Sequence, residues 1–291
     1  MKSRYLQLDV FAARRGGGNP LGVVLDATGW SDADMQAFAA WTQLVETTFV
    51  LPATTTQADY RLRIFTPQRE IAFAGHPTIG SAHALLEAGL ARARDGRLVQ
   101  ECQAGLLPIL VEGDGADRRL FVRAPQAQLL REGADTAVSR LLEGIARGAL
   151  PPAFLEGGRR WWVAEFASEA QLRAWRPDHA AIAAIARDTD SLGLCAFARS
   201  DGDDCELAVR AFPAGVGIVE DPASGAANGL IAAWIAMREP SGPLAHGYRV
   251  SQGREIGKDA EILVRIDAGG IWVGGATHTV VDGTATWRRR N

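Results

Sequence analysis

At 291 residues the chain is long enough for one large domain or two of ordinary size. Its 47% hydrophobic and 22% charged residues are those of a globular protein, and a net charge of −3 gives no electrostatic reason to expect nucleic acid or an anionic membrane as partner. Three cysteines without a C-x-x-C pair speak against a disulfide framework or a thiolate zinc site and suit a reducing, cytoplasmic compartment. The N-terminal MKSRYLQLDVFAARR alternates polar and apolar residues and lacks the apolar run of a signal peptide. No stretch approaches the roughly 18 apolar residues of a membrane helix. The basic Trp287-Arg288-Arg289-Arg290 reads as a solvated tail.

In chain order, YLQLDVFA (5–12) predicts a strand with Leu6, Leu8 and Val10 on one face, and GGGNPLGVVLD (16–26) a glycine turn running into a second. SDADMQAFAAWTQLV (31–45) predicts a helix with Ser31 as N-cap and Asp34 three residues on. It gives way to the β-branched strand ETTFVLPA (46–53), so Glu46 stands at a helix-to-strand junction. DYRLRIFT (59–66) alternates as a strand, and a helix follows residue 74, closed by Gly89. Residues 97–124 are strand-like, and the Pro-, Gln- and charge-rich 125–136 reads as a change of unit. The second half predicts a strand at 160–166, helices near 168–175 and 178–187, strands at LGLCAFAR and CELAVRAF, a helix at 224–237, and then strands AEILVRID, GIWVGGA and THTVVDGTATW. Many strands with a few helices, not in strict βαβ alternation, predict an α+β fold.

One internal comparison organises the rest. GHPTIGSAHAL (75–85) aligns with EDPASGAANGL (220–230): Pro77 falls on Pro222, Gly80 on Gly225, Ala82 on Ala227, Leu85 on Leu230 and His76 on Asp221. Upstream, Arg63-Ile64-Phe65 matches Arg210-Ala211-Phe212. Pro at the first helical position removes an N–H that has no helical partner there, and small residues leave the neighbouring N–H groups bare. Two such helix starts, one per half, predict a pseudo-twofold cleft for the carboxylate of a small acid, with His76 and Asp221 beside it. The alternative is that small residues only let two helices pack closely.

At these residues the sequence resembles the PhzF-like phenazine-biosynthesis family, within the diaminopimelate-epimerase-like fold. The resemblance spans essentially the whole chain, through residues 9–24, 42–50, 63–85, 210–229, 251–266 and 271–284. It implies two similar domains related by pseudo-twofold symmetry, each a curved, mostly antiparallel sheet around a central helix. The first domain is placed at 1–122 plus 279–291 and the second at 123–278. It also implies a catalytic Glu46 with His76 and Asp221, and a substrate-binding set of Gly75, Pro77, Gly80, Ser224, Gly225, Ala226 and Asn19. Family members commonly carry Ser where this chain has Val45 and Ala226, so hydroxyl contacts to substrate are absent at both. A homodimer without cofactor is expected on the same ground.

The diaminopimelate epimerases and proline racemases of this fold resemble a two-base design with one Cys at each helix start. Neither block here holds a Cys, which leaves one carboxylate with a His and an Asp. Glu46 is expected to take a proton from carbon and return it on the same face, its pKa raised by apolar surroundings near Val45 and Phe49. As a bare residue, Glu46 also reads as a solvated helix-end carboxylate. His83, seven residues after His76, is too far from it for a shared metal and reads as a packed helix residue. GGG at 16–18 lacks the helix and acidic partner of a nucleotide site. The eight Trp, Trp161, Trp162 and Trp234 among them, read as core or dimer-interface residues. The expected activity is a cofactor-independent isomerase moving a proton on a small amino or hydroxy carboxylic acid of trans-2,3-dihydro-3-hydroxyanthranilate type. The alternatives are an epimerase or racemase of a small amino acid and a catalytically silent carboxylate-binding protein.

Overall fold

The structure is a computed structural model that describes residues 1–202 and 204–287; the basic run Arg288–Arg290 lies outside them. The chain forms two compact units, one of Met1–Arg123 with the segment from Gly274 onward, the other of Ala124–Val273. The first contains β1 (Lys2–Val10), β2 (Asn19–Val24), α1 (Asp32–Thr42), β3 (Thr47–Leu51), β4 (Tyr60–Phe65), β5 (Glu70–Ile71), α2 (Gly75–Glu87), β6 (Arg97–Cys102), β7 (Gly105–Glu112) and β8 (Arg119–Arg123). The second contains β9 (Gln128–Glu132), α3 (Thr136–Leu141), β10 (Ala153–Gly157), β11 (Arg159–Phe166), α4 (Glu169–Ala174), α5 (His179–Asp188), β12 (Leu194–Arg199), β13 (Leu207–Phe212), α6 (Gly225–Arg238), β14 (Gly247–Gln252) and β15 (Ala260–Asp267). β16 (Gly270–Gly275) leads out of it, and β17 (Thr277–Thr286) returns to the first unit beside β1.

Strand pairing follows one scheme in both units. In the first, the order is β17-β1-β2-β3-β4-β6-β7-β8, antiparallel except for β2–β3 and β4–β6. In the second it is β9-β10-β11-β12-β13-β14-β15, antiparallel except for β11–β12 and β13–β14. Parallel neighbours cannot be joined by a tight turn, so each parallel pair needs a crossover. α1 and α2 supply it in the first unit; α4 with α5, and then α6, supply it in the second. The fold is therefore mixed α/β with mostly antiparallel pairing, and six α-helices among the described residues. The expected mixture of helices with mostly antiparallel strands is present, and the crossovers add βαβ units that the sequence order alone did not separate from simple strand–helix succession.

Four strands and a helix went unforeseen, the two-residue β5 among them. β9 falls in the stretch read only as a change of unit, and all five of its residues are exposed, so no burial period marks it. β10, β14 and the six-residue α3 are short segments next to Gly and Pro, where composition resembles a loop. Elsewhere the local chemistry acts as read. Ser31 caps α1 by accepting from the Asp34 N–H, and Gly89 closes the turn after α2 at φ 69°.

α2 and α6 are each buried through most of their length, as expected of helices that are apolar nearly all round. α2 packs on β1, β2, β3, β4, β8 and β17; α6 packs on β10, β11, β12 and β15. Aromatic clusters cover the opposite faces: Trp30, Phe38, Phe49 and Phe65 under α1, and Trp162, Phe166, Trp175 and Phe212 under α4 and α5. Trp161, Trp162 and Trp234 are core residues, each 1% exposed.

The repeat extends to a matching ion pair in each unit. Arg63 on β4 makes a two-pronged contact with Glu70 at 2.7 Å on both prongs, and Arg210 on β13 grips Glu220 at 2.9 and 2.8 Å. Both guanidinium carbons stand 5.1 Å from a Phe ring centre two residues on, Phe65 and Phe212. Each pair fastens the loop leading to the following helix. The second is more deeply buried, at 4% and 5% side-chain exposure against 21% and 19%. Removing one partner of a buried pair leaves an uncompensated charge, so Arg210→Met is expected to cost about 3–5 kcal/mol. Arg63→Met should cost distinctly less. Urea unfolding of both variants checks the order; equal losses would contradict it.

Candidate functional site

Glu46 is placed by backbone geometry on either side of it. α1 ends with Gln43 in the left-handed conformation at φ 56°, which turns the chain toward β2. Gly22 on β2 has no side chain to obstruct that turn: a Cβ there would lie 2.9 Å from Tyr5 Oη and 3.0 Å from Leu44 Cδ1. The Gly22 N–H reaches the Glu46 carbonyl at 3.5 Å, and Thr47 then enters β3 opposite Gly22. Glu46 thus stands one residue before a buried strand, its side chain only 11% exposed. The solvated helix-end reading of this carboxylate does not hold.

The start of α2 brings His76 to it. His76 Nε2 lies 3.4 Å from Glu46 Oε2, and the imidazole is 8% exposed. The ring also lies beside the backbone of Pro20 on β2. Burial pushes the imidazole down to a pKa of about 3, against which the Pro20 contact works only in part, so His76 is neutral at pH 7. Ala74, the N-cap of α2, offers no side-chain bond, and the first helical hydrogen bond runs from Thr78 N–H to Ala74 C=O at 3.2 Å. The N–H groups of Gly75 and His76 precede that bond, at the positive end of the helix.

Two details of the repeat need correction. Pro77 is the third helical residue, not the first; its missing N–H still falls among those without a helical partner. Pro222 lies two residues before the N-cap of α6. The helices therefore start out of register with the sequence alignment, because Ser224 caps α6 with its side chain and Ala74 cannot do so for α2. His76 sits in a first helical turn, whereas Asp221 stands outside α6 in an isolated bridge to Ala211.

Gly80 is bare for a packing reason. A Cβ there would lie 2.4 Å from Leu21 Cδ2 and 2.9 Å from Val10 Cγ2, so its face lies against β1 and β2 and the close-packing alternative applies to it. Asn19 is fully buried on β2, opposite Val10. In the second unit, Asp221 Oδ1 accepts from the Ala223 N–H at 3.2 Å, and Ser224 Oγ accepts from Ala227 N–H at 3.4 Å. Gly225 is half-buried and Ala226 exposed.

The sequence reading missed the residues that hold these starts in place. Gln100 on β6 donates to Thr78 Oγ1 and accepts from Tyr60 Oη, both at 3.1 Å. Gln252 on β14 donates to the Asp221 carbonyl at 2.8 Å and accepts from Ser224 N–H at 3.2 Å and from Asn228 Nδ2 at 2.9 Å. Thr48 Oγ1 and Ser81 Oγ, 2.8 Å apart, pin β3 to α2. A glutamine near the end of the strand after each helix, where apolar residues are expected, was the signal available.

Other titratable candidates lie apart from this pair. His83 is buried further along α2, 3.7 Å from Glu87 and lowered to about 4, chiefly by burial. Burial pushes the Cys195 thiol well up from its ordinary value, so it is no thiolate. Among the described residues no group of three or more His, Cys, Asp or Glu is placed to hold a metal ion, and no helix is long and apolar enough to cross a membrane.

Comparison with known proteins bears on this arrangement. The family model described as phenazine biosynthesis-like protein matches residues 8–290. The chain is 31% identical over 291 residues to antisense-enhancing sequence 1 of Schizosaccharomyces pombe, covering 96% of this chain and 97% of that one. It is 32% identical over 269 residues to trans-2,3-dihydro-3-hydroxyanthranilate isomerase of Pseudomonas aeruginosa, covering 92% and 91%. A crystal structure of a Bacillus anthracis phenazine biosynthesis protein of the PhzF family superposes with a TM-score of 0.85 at 26% identity, covering 98% of this chain and 99% of that one.

The lowered pKa of His76 has a consequence for stability. The unfolded chain binds a proton near pH 6.5 that the folded chain refuses until about 3, so this group's contribution is full above 6.5 and is lost as pH falls through that window. Replacing it, as His76→Asn, should flatten the dependence of unfolding free energy on pH between 6.5 and 4 by up to about 1.4 kcal/mol per unit. Urea titrations across that range check this; an unchanged slope would mean that His76 titrates normally.

Proposed function

Because the chain belongs to the PhzC-PhzF phenazine biosynthesis-like family and is an isomerase, we propose that it moves a proton between carbons of a small amino or hydroxy carboxylic acid, with Glu46 as its single acid and base. The observation that carries this reading is the buried carboxyl of Glu46 held 3.4 Å from a neutral imidazole. Water is largely excluded there, so a proton taken by the carboxylate is kept for return to the substrate rather than lost. The substrate class proposed is that of trans-2,3-dihydro-3-hydroxyanthranilate, the compound in the name of a relative 32% identical to this chain.

The remaining roles follow from position. The substrate carboxylate is assigned to the N–H groups of Gly75 and His76 at the uncapped start of α2, with Pro77 fixing the first turn. His76 orients the amino or hydroxyl group next to the reacting carbon. Asp221, Ser224, Gly225 and Ala226 are assigned to substrate from the second unit as the counterparts in the repeat, and Asn19 from β2. Gly80 is left out, since its bare face meets β1 and β2. Val45 and Ala226 lack the hydroxyls common in the family, which points to a substrate related to, but not the same as, the phenazine precursor. Kinship along nearly the full length with isomerases favours turnover over silent binding. A homodimer is proposed from the resemblance alone.

Glu46→Gln keeps the volume and removes the exchangeable carboxyl proton. With trans-2,3-dihydro-3-hydroxyanthranilate as trial substrate, it should lower turnover by about 10²-fold or more while thermal unfolding stays near that of the native chain. Undiminished turnover would sink the assignment of Glu46. An inactive native chain would overturn the substrate class and leave an amino-acid epimerase as the next reading.

A further inference from the structure

The second unit holds a cavity of about 710 Å³, the size of a small-molecule site, and neither Asp221 nor Ser224 is in its walls. Three segments build it: the link between α4 and α5, Arg210 with the Val219-Glu220 stretch, and the turn Arg254–Ile256 after β14. Gly253 at φ 92° and Gly257 at φ 76° bracket that turn, and a Cβ on Gly253 would lie 2.6 Å from the Pro222 carbonyl oxygen. Left-handed glycine at both ends and so close a fit hold Glu255 in place.

Most of the charge in these walls is already matched. Arg210 grips Glu220 and gives Nη1 to the carbonyls of Leu172 and Trp175 at 3.2 and 2.6 Å. Glu255 is different. Its side chain is 7% exposed and Oε1 accepts from Arg173 Nη1 at 2.9 Å, but Oε2 is buried with no hydrogen-bond partner. Arg173 is also held by Glu169 at 2.6 Å, so one guanidinium serves two carboxylates and leaves a negative charge over. A buried carboxylate oxygen without a donor is costly. On the side of the α4–α5 link, Arg176 is exposed and gives Nη1 to the neutral carbonyls of Arg173, Ala174 and Trp175, which leave its positive charge unmatched. Val219 and Ile256 put exposed aliphatic surface in the same walls.

We propose that this cavity binds a small zwitterion, an α-amino acid with an aliphatic side chain. Its ammonium group supplies Glu255 Oε2 with the donor that the fold withholds, in a charge-assisted bond. The terminal torsion of a glutamate is soft, so the carboxylate meets that group without moving the turn. The ligand's own carboxylate pairs with Arg176, and the His179 ring in the same wall offers a second N–H. Its side chain covers Val219 and Ile256. A plain carboxylic acid would bring a second negative charge to Glu255, and a plain amine would leave Arg176 unpaired, so both are selected against. The proposal draws nothing from Glu46 or His76, which belong to the first unit.

The test is isothermal titration calorimetry at pH 7 with L-leucine, with 3-methylbutylamine, which lacks its carboxylate, and with 4-methylpentanoate, which lacks its ammonium group. The native chain should bind leucine about tenfold or more tightly than either truncated probe. Arg176→Gln should weaken leucine by about tenfold and leave the amine unchanged; Glu255→Gln should weaken both and leave the acid unchanged. Arg176 is exposed, so its variant decides the matter even where Glu255→Gln fails to fold. No leucine binding by the native chain, a truncated probe that binds as well as leucine, or undiminished leucine binding in Arg176→Gln would each overturn the proposal. Glu46→Gln should bind leucine as the native chain does; loss of binding there would place leucine in the first unit and overturn it too. Turnover by Glu46→Gln bears on the proton carrier alone, so the two readings fail separately.

Discussion

A carboxyl group and an imidazole held 3.4 Å apart and nearly out of water set the terms for the rest of the first unit. Each would rather be solvated, and burying either without partners is costly. The fold meets that cost with rigid backbone on both sides. β2 and β3 run parallel, so the chain must cross over through α1 and return at Glu46; β4 and β6 run parallel, so it must cross again through α2, whose first turn holds His76. The two groups meet because two crossovers deliver their ends to the same strands.

Chemistry follows from the same constraint. Burial keeps the imidazole neutral and, in the proposed reaction, shields a proton held by Glu46 from water. One carboxyl with a neutral imidazole beside it is a different device from two thiols on opposite faces of a stereocentre. In the reaction proposed for it, that pair favours removal and return of a proton on one side over inversion. That distinction comes from the residues at the two helix starts, where Cys is absent, and agrees with relatives named as isomerases.

Much of this was legible in the sequence, and the limits have physical causes. The Ser31 cap, the helices at 75 and 225 and the Arg–Phe repeat upstream of them each leave a local mark, in a cap residue, a breaker or a period. The Arg63–Glu70 and Arg210–Glu220 pairs show that the repeat reaches side-chain contacts, which spacing alone cannot reveal. Strand β9 left no mark because none of its residues is buried. Glu46 carried no local signature and needed the resemblance to be singled out. Gly80 serves through its fit against Leu21 and Val10, and a lock between segments far apart in the chain is not written in a residue type.

The claim that one carboxyl does the proton transfer is most directly tested by running the reaction in deuterium oxide and following substrate and product by NMR. A single acid and base on one face predicts at most one deuterium, at the carbon that receives the proton, with the recovered substrate retaining its configuration. Recovered substrate that is both inverted and deuterated at its stereocentre would show two bases at work and would contradict the account.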